Sequence, residues 1–377
     1  MTREPIEFID LKAQRRHLGD RIDHAVTRVL NEGRYILGPE VGQLEAALAE
    51  FCGAKHAISC GNGTDALALI LMAEGVRPGQ AIMVPSFTFC ATAEVVAWLG
   101  AVPIFIDVAP DTYNMDPVSL ESGIATARHL GLRPVGVIPV DLFGQPADYD
   151  QLLPVAEAEG LWVLADAAQS FGATYKGRSV GTFGMATSTS FFPAKPLGCY
   201  GDGGAIFTDD EKLPDILRSL RVHGSGTDKY DNVRIGMNGR LDTIQAAILI
   251  EKLKIFPGEI AARNRIATRY NEGLGDIVRV PVVAEGSTSV WAQYTIELDR
   301  RDEAAAALKQ DGVPTAIYYP RPLHRQTAYQ RYPSAKAGLA VSDAIAARVL
   351  SLPMHPYLDE DVQDYIIGSL RRFVTGK

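Results

Sequence analysis

The stretch Ala186–Thr208, ATSTSFFPAKPLGCYGDGGAIFT, decides how the rest of the chain reads. It opens with a β-like run, Thr187–Phe192, in which polar and aromatic residues stand where aliphatics are usual. Pro193 stops the strand, and a single lysine, Lys195, follows. A turn carrying Gly198, Gly201, Gly203 and Gly204 leads into a second short strand, Ala205–Thr208, that runs back. Pro193 and Pro196 fix φ on either side of Lys195 and stiffen its approach. The glycines beyond let backbone or ligand come close. One amine is thereby held at a strand end on a rigid turn, as a nucleophile toward a carbonyl requires. A surface lysine in a hairpin loop is the plain alternative.

Upstream of this hairpin, strands and helices alternate. Strands are predicted at 56–60, 81–86, 103–108, 135–141 and 161–166, with helices after Gly63, over Phe89–Leu99 and over Leu152–Glu159. This rhythm predicts an α/β fold with a mostly parallel sheet covered by helices. The hairpin adds strands at 187–192 and 204–208. Before the sheet lie a helix over 11–31, a loop over 33–41 and an amphipathic helix over Val41–Phe51. After Leu241 the pattern changes. Helices over Asp242–Leu253 and Pro257–Leu274 precede weak strands at 279–283 and 291–298 and a helix over Glu303–Gln310. A Pro- and Tyr-rich loop, Val313–Leu323, and closing helices over Ser342–Leu350 and Glu360–Val374 complete the chain. A large domain over 1–253 and a smaller α+β domain over 254–377 are expected, with the N-terminal helix packing on the second.

A chain of 377 residues has room for two domains and a large core. Its 47% hydrophobic and 22% charged residues are ordinary for a soluble globular protein. A net charge of −8 favours neither nucleic acid nor an anionic membrane surface. No run approaches the ~18 apolar residues of a membrane span, and MTREPIEFIDLKAQ has no apolar signal core. Cys52, Cys60, Cys90 and Cys199 lack zinc-type spacing and form no disulfide scaffold. A reducing cytoplasm and no metal site are the expectations.

Six segments are candidates for chemistry. GNGTDAL (61–67) follows a strand and opens a helix, offering amides, the helix dipole and the Thr64 hydroxyl to a phosphate. Gly61, Gly63 and Ala66 also approximate a dinucleotide fingerprint, which needs an acid at the end of the next strand; that strand ends in Pro85-Ser86. LWVLADAAQS (161–170) ends a buried strand on Asp166, where parallel sheets bind ligands. A carboxylate there needs a cationic partner, such as a protonated pyridine nitrogen, or desolvation raises its pKa; capping the next turn is its plain alternative. PSFTFCATAE (85–94) sets Phe87 and Phe89 just past a strand end, able to stack on a flat ring or to fill the core. RVHGSG (221–226), MNGRLD (237–242) and YYPRPLH (318–324) are polar loops, and His223 alone reads as structural.

A lysine for a Schiff base, an acid for a pyridinium, a helix N-terminus for a phosphate and an aromatic over a ring are the four needs of pyridoxal 5′-phosphate. The blocks GNGTDAL, PSFTFCATA, ADAAQSFGA, SFFPAKPLGCYGDGGA and GMNGRLDTIQAA together make the chain, from GRYILGPEV to the C-terminal loops, resemble the DegT/DnrJ/EryC1/StrS family. Those proteins are sugar aminotransferases of the fold-type I, aspartate aminotransferase-like architecture, with a mixed, mostly parallel seven-stranded sheet. The resemblance implies that Lys195 carries the cofactor and shuttles the proton, and that Asp166 holds the pyridine nitrogen. It places Gln169 near the phenolic oxygen and Phe89 on the ring. Gly63, Thr64, Asp65 and Ser190 would bind the phosphate, with Asn238 reaching in from a neighbouring subunit of a homodimer with shared sites. Relatives with histidine for the lysine dehydrate sugars; this chain keeps the lysine, so transamination is the implied activity.

KPLGCYGDGGA and the NGRLD arginine most resemble enzymes that aminate the 3-keto group of a UDP-linked N-acetylhexosaminuronic acid for surface polysaccharide such as lipopolysaccharide, with L-glutamate as donor and 2-oxoglutarate as product. In those, an arginine matching Arg240 meets the sugar carboxylate, and Tyr35, Tyr318, Tyr319 and His324 would complete the sugar site. Tyr318 departs from the histidine those relatives often carry, YYP here against HYP. The alternatives are amination at C4 or C3 of a dTDP- or GDP-linked keto-deoxysugar, a nicotinamide oxidoreductase, and a binding protein that kept the pocket without turnover.

Overall fold

The computed structural model describes residues 5–228 and 230–376. In chain order its strands are β1 (His56–Cys60), β2 (Gln80–Pro85), β3 (Val102–Ile106), β4 (Arg133–Val137), β5 (Trp162–Asp166), β6 (Thr174–Tyr175), β7 (Arg178–Ser179), β8 (Ala186–Ser190), β9 (Gly204–Thr208), β10 (Tyr294–Glu297) and β11 (Val349–Leu352). Its helices are α1 (Leu11–Leu18), α2 (Asp20–Glu32), α3 (Pro39–Cys52), α4 (Gly63–Ala73), α5 (Ala91–Trp98), α6 (Pro117–His129), α7 (Tyr149–Ala158), α8 (Leu213–Leu220), α9 (Thr243–Leu274), α10 (Arg301–Gln310), α11 (Ala340–Ala346) and α12 (Glu360–Thr375).

Seven strands form one sheet in the order β1-β9-β8-β5-β4-β2-β3. Helical crossovers join most of them and make their pairings parallel. Only β9, returned by the turn that holds Lys195, runs antiparallel to its neighbours β8 and β1. Gly204 therefore pairs with both Cys60 and Ser190. That register brings the carboxyl ends of β1, β5 and β8 to one edge, where Asp166 is opposite Ser188.

Apolar side chains fill both faces. One layer packs α4, α5 and α8 on the sheet through Leu67, Leu69, Val95 and Leu217. The other packs α6 and α7 through Leu120, Ile124, Leu152 and Ala156. A separate cluster joins the far end of α9 to β10, β11 and α12 through Tyr270, Tyr294, Leu352 and Ile366. α2 lies along α9, with Leu18, Ile22 and Ile248 between them. No helix among the described residues is long and apolar enough to cross a membrane.

The sheet rhythm follows the sequence, and the structure amends several boundaries. The helix expected over 11–31 breaks at Gly19, whose φ is +55°. Helices α6 and α8 stand where none was expected. Each starts with proline in its first turn, and Asp116 caps α6 by accepting from the Val118 and Ser119 amides. α5 begins at Ala91, leaving Phe89 in the preceding loop. The strand expected to reach 141 ends at Val137, followed by one bridge, Val140 to Asp166. Pro257 does not end the helix before it: α9 is one element of 32 residues, because its buried face continues past the proline through Glu259, Arg263 and Ile266. Residues 279–283 hold a single bridge, Arg279 to Glu297. The helix expected to Leu350 stops at Ala346, since Val349–Leu352 pair with β10 instead.

Behind the 61–63 turn lies a buried ion pair. Arg221 and Glu45 are both buried, and Glu45 Oε1 also accepts from the Ser59 amide at 2.9 Å and its hydroxyl at 2.8 Å. Arg221 Nη1 donates in addition to Ser59 O at 2.6 Å. Removing one partner strands a buried charge, so Glu45→Ala should cost about 3–5 kcal/mol. The midpoint of chemical unfolding, with the denaturant slope unchanged, measures it.

Candidate active site

The Lys195 turn is closed by its own backbone. The Lys195 amide donates to Phe192 O at 2.8 Å, and the Cys199 amide to Phe191 O at 2.8 Å. A Cβ on Gly198 would lie 2.6 Å from the carbonyl oxygens of Phe192 and Pro193, so glycine is required for the chain to fold back this tightly. Lys195 as a whole is half-buried. Burial pushes its pKa down to about 8, and the Asp166 carboxylate opposes the shift.

Asp166 ends β5 and is buried. Thr92, near the start of α5, donates to Asp166 Oδ2 at 2.9 Å, and the Ala168 amide donates to Oδ1 at 3.2 Å. Burial raises the Asp166 pKa, while these bonds and the Lys195 charge pull it down. Gln169 follows on the next loop, accepting from the Phe143 amide at 2.8 Å and donating to Tyr319 Oη at 3.2 Å. Burial raises the pKa of Tyr319, so its hydroxyl stays neutral and able to donate.

The third wall is the start of α4. Asn62 Oδ1 accepts from the Asp65 amide at 2.7 Å, which leaves the Gly63 and Thr64 amides without a protein partner among the described residues. A Cβ on Gly63 would lie 2.7 Å from Ser190 Cβ, and one on Gly204 would lie 2.4 Å from Asn62 O. Two glycines thus press the helix start onto the end of β8, beside Ser190. The Asp65 carboxyl is directed back toward Gly61 and Gly239, and burial raises its pKa.

The remaining candidates differ in how they connect to this centre. The Gly61 amide donates to Gly239 O at 3.0 Å, fixing the 238–240 loop to the helix start. Asn238 is exposed within the chain. Arg240 Nε is buried without a hydrogen-bond partner among the described residues. Phe89 is 55% exposed while Phe87 is buried, which divides the two aromatics between a free ring and the core. Tyr35 is exposed, and its backbone carbonyl accepts from the Thr243 amide at 3.0 Å. Tyr318 is half-buried and its ring lies 5.8 Å from that of Tyr319. His324 has both ring nitrogens engaged, Nδ1 with Ser86 Oγ at 2.7 Å and Nε2 with Asp343 Oδ1 at 3.2 Å. Thr92 and Asn62 had not been singled out from the sequence. Each touches its partner through a side chain whose direction only the folded backbone sets.

The chain matches the DegT/DnrJ/EryC1/StrS aminotransferase family over residues 16–371. It belongs to that family. Among its relatives, a UDP-2-acetamido-2-deoxy-3-oxo-D-glucuronate aminotransferase of Pseudomonas aeruginosa is 50% identical over 94% of this chain and 96% of its own. The crystal structure of a DegT/DnrJ/EryC1/StrS aminotransferase from Brucella abortus is 55% identical, with a TM-score of 0.97 over 99% of this chain and 100% of its own. NtdA of Bacillus subtilis, solved with its cofactor PMP bound, is 28% identical, with a TM-score of 0.88 over 100% of this chain and 86% of its own. This DegT/DnrJ/EryC1/StrS protein is an aminotransferase dependent on pyridoxal 5′-phosphate.

Its own residues fit that group: an amine of depressed pKa, a buried carboxyl electrostatically coupled to it, and uncapped amides pressed beside a serine. The Lys195 pKa reflects burial opposed by the Asp166 charge. Reductive methylation of Lys195 in cofactor-free protein should therefore rise with pH around a midpoint near 8. Asp166→Asn removes the opposing charge and should move the midpoint lower still. Peptide mass spectrometry across a pH series measures both curves.

Proposed function

We propose that this aminotransferase moves the amino group of L-glutamate to the 3-keto group of a UDP-linked 2-acetamido-2-deoxyhexuronic acid, in surface polysaccharide synthesis in the cytoplasm. The observation that carries the substrate is Arg240. Its Nε is buried without a partner among the described residues, and its backbone carbonyl lies 3.6 Å from where a Gly61 Cβ would stand. A guanidinium with a buried, unbonded Nε suits a substrate carboxylate, which it can grip through charge-assisted bonds. The 50%-identical relative acts on a sugar of that kind.

Pyridoxal 5′-phosphate supplies an electron sink for moving the amino group. Lys195 would hold it covalently and carry the proton, since an amine with a pKa near 8 is both nucleophile and base near neutral pH. Asp166 would keep the ring nitrogen charged, and Thr92 holds that carboxylate in place. Gln169 would orient the phenolic oxygen, and Phe89 would cover the ring. The Gly63 and Thr64 amides, with Asp65 and Ser190 beside them, would take the phosphate at a helix N-terminus. Tyr318, Tyr319, Tyr35 and His324 would flank the sugar. A large domain over 1–253 and a small one over 254–377 go with this reading, α9 spanning the division.

The working unit is a homodimer with shared sites, Asn238 serving the partner's cofactor and Arg240 the partner's substrate. Exposed apolar residues support this: Tyr35, Ile36 and Leu37, with Ile36 bridged to Asp242 just past Arg240; Phe192 and Tyr200 around the Lys195 turn; and Val233 and Ile235 in the loop before Asn238. Such surface marks a protein interface.

Arg240→Ala should lower kcat/KM for the uronic acid substrate about 10–100-fold, the worth of a charge-assisted bond. Turnover of the neutral N-acetylhexosamine analogue should change little. Equal loss on both substrates rules the uronic acid out. Sharing is tested with Lys195→Ala and Arg240→Ala chains, co-expressed under separate tags. Random pairing makes about half the dimers mixed, each with one intact site, so roughly a quarter of all sites should work. Activity that stays at the level of the single variants overturns the shared site.

A further inference from the structure

Lys252, on α9, is 1% exposed. Among the described residues no carboxylate lies within ion-pair distance of it. Its Nζ donates instead to the backbone carbonyl of Gly198, in the turn that holds Lys195. The same ammonium lies 4.5 Å from the centre of the Tyr200 ring, a cation–π contact. Seven residues earlier, Gln245 brackets Tyr200. Its Oε1 accepts from the Tyr200 amide at 2.8 Å, and its Nε2 donates to the Tyr200 carbonyl at 3.2 Å. Residues seven apart lie on one face of a helix. One stripe of α9 therefore takes hold of the turn at two points on either side of Cys199.

Stability does not call for a lysine here. Burying an ammonium against a neutral carbonyl carries a desolvation penalty, and an apolar side chain of the same length would fill the space without it. The groups that act on the ammonium are Glu259, two turns further along α9, and the Cys199 thiol from the turn. Glu259 is itself held by Gln14 Nε2 at 2.9 Å and Tyr357 Oη at 2.6 Å. The turn's internal bonds, Lys195 to Phe192 and Cys199 to Phe191, close it on itself but do not attach it to the helices behind. Lys252 and Gln245 supply that attachment.

We propose that Lys252, with Gln245, is a positioning residue for Lys195: α9 anchors the turn at Gly198 and Tyr200 and so sets the depth at which the reactive amine is held. Neither residue touches the reacting atoms. The inference rests on Lys195 being the lysine that carries the cofactor.

The test compares the unsubstituted enzyme with Lys252→Met, which keeps the stem and loses the donor, and with Gln245→Ala. In cofactor-free protein, loosening the turn admits water to Lys195. The midpoint for its reductive methylation should then rise by about one pH unit in Lys252→Met, toward the ordinary lysine value. In Gln245→Ala it should rise by less. In holoenzyme, kcat should fall about tenfold in Lys252→Met while KM for both substrates stays within about twofold, as expected of altered placement rather than binding. Gln245 is only half-buried, so its variant carries the test if Lys252→Met does not fold. A Lys195 curve unchanged in the folded variants overturns the proposal, and so does a drop in melting temperature with that curve unchanged. Borohydride reduction of holoenzyme with peptide mapping separates the two layers. Label on another lysine removes the cofactor assignment; label on Lys195 with an unmoved curve removes only the role of Lys252.

Discussion

Everything at the site depends on one steric constraint, the meeting of three strand ends at Gly204. β9 is the only strand of the sheet that runs backward, and its first residue pairs with the last of β1 on one side and the last of β8 on the other. A Cβ at Gly204 would fall 2.4 Å from Asn62 O, inside the turn that starts α4. Because there is none, the helix start, Ser190 and the Lys195 turn share one small volume.

The same close packing explains the electrostatics. Lys195 and Asp166 are each desolvated, which disfavours both charges, and each restores part of the other's charge. The site thus presents an amine that loses its proton more easily than a free lysine, next to a carboxyl held by Thr92 and the Ala168 amide. Farther out, Arg221 with Glu45 is bonded to Ser59 near the end of β1, and Lys252 to Gly198 in the Lys195 turn; both are buried charges. Buried charge carries a desolvation cost, and at these two places it is bonded to the backbone close to the site.

Much of this was legible in the chain. The alternation of strands and helices, the lysine between Pro193 and Pro196, and Asp166 at the end of an apolar run each follow from local rules. Boundaries were less so. Pro257 reads as a helix break, yet packing on both sides carries α9 through it. Val349 and Leu350 read as the end of a helix, yet VLSL (349–352) pairs with β10. In both places a local preference worth little was overridden by burial of apolar surface that the sequence does not locate.

By itself the sequence determined the kind of fold and the rigid turn that holds Lys195, because those depend on residues close together in the chain. The contacts that tune them were decided by tertiary structure. Thr92 reaches Asp166 across 74 residues, Lys252 reaches Gly198 across 54, Gln169 meets Tyr319 across 150, and Arg221 meets Glu45 across 176. Each needs strand register, crossover length and helix rotation to be right at once, and no local pattern records their sum.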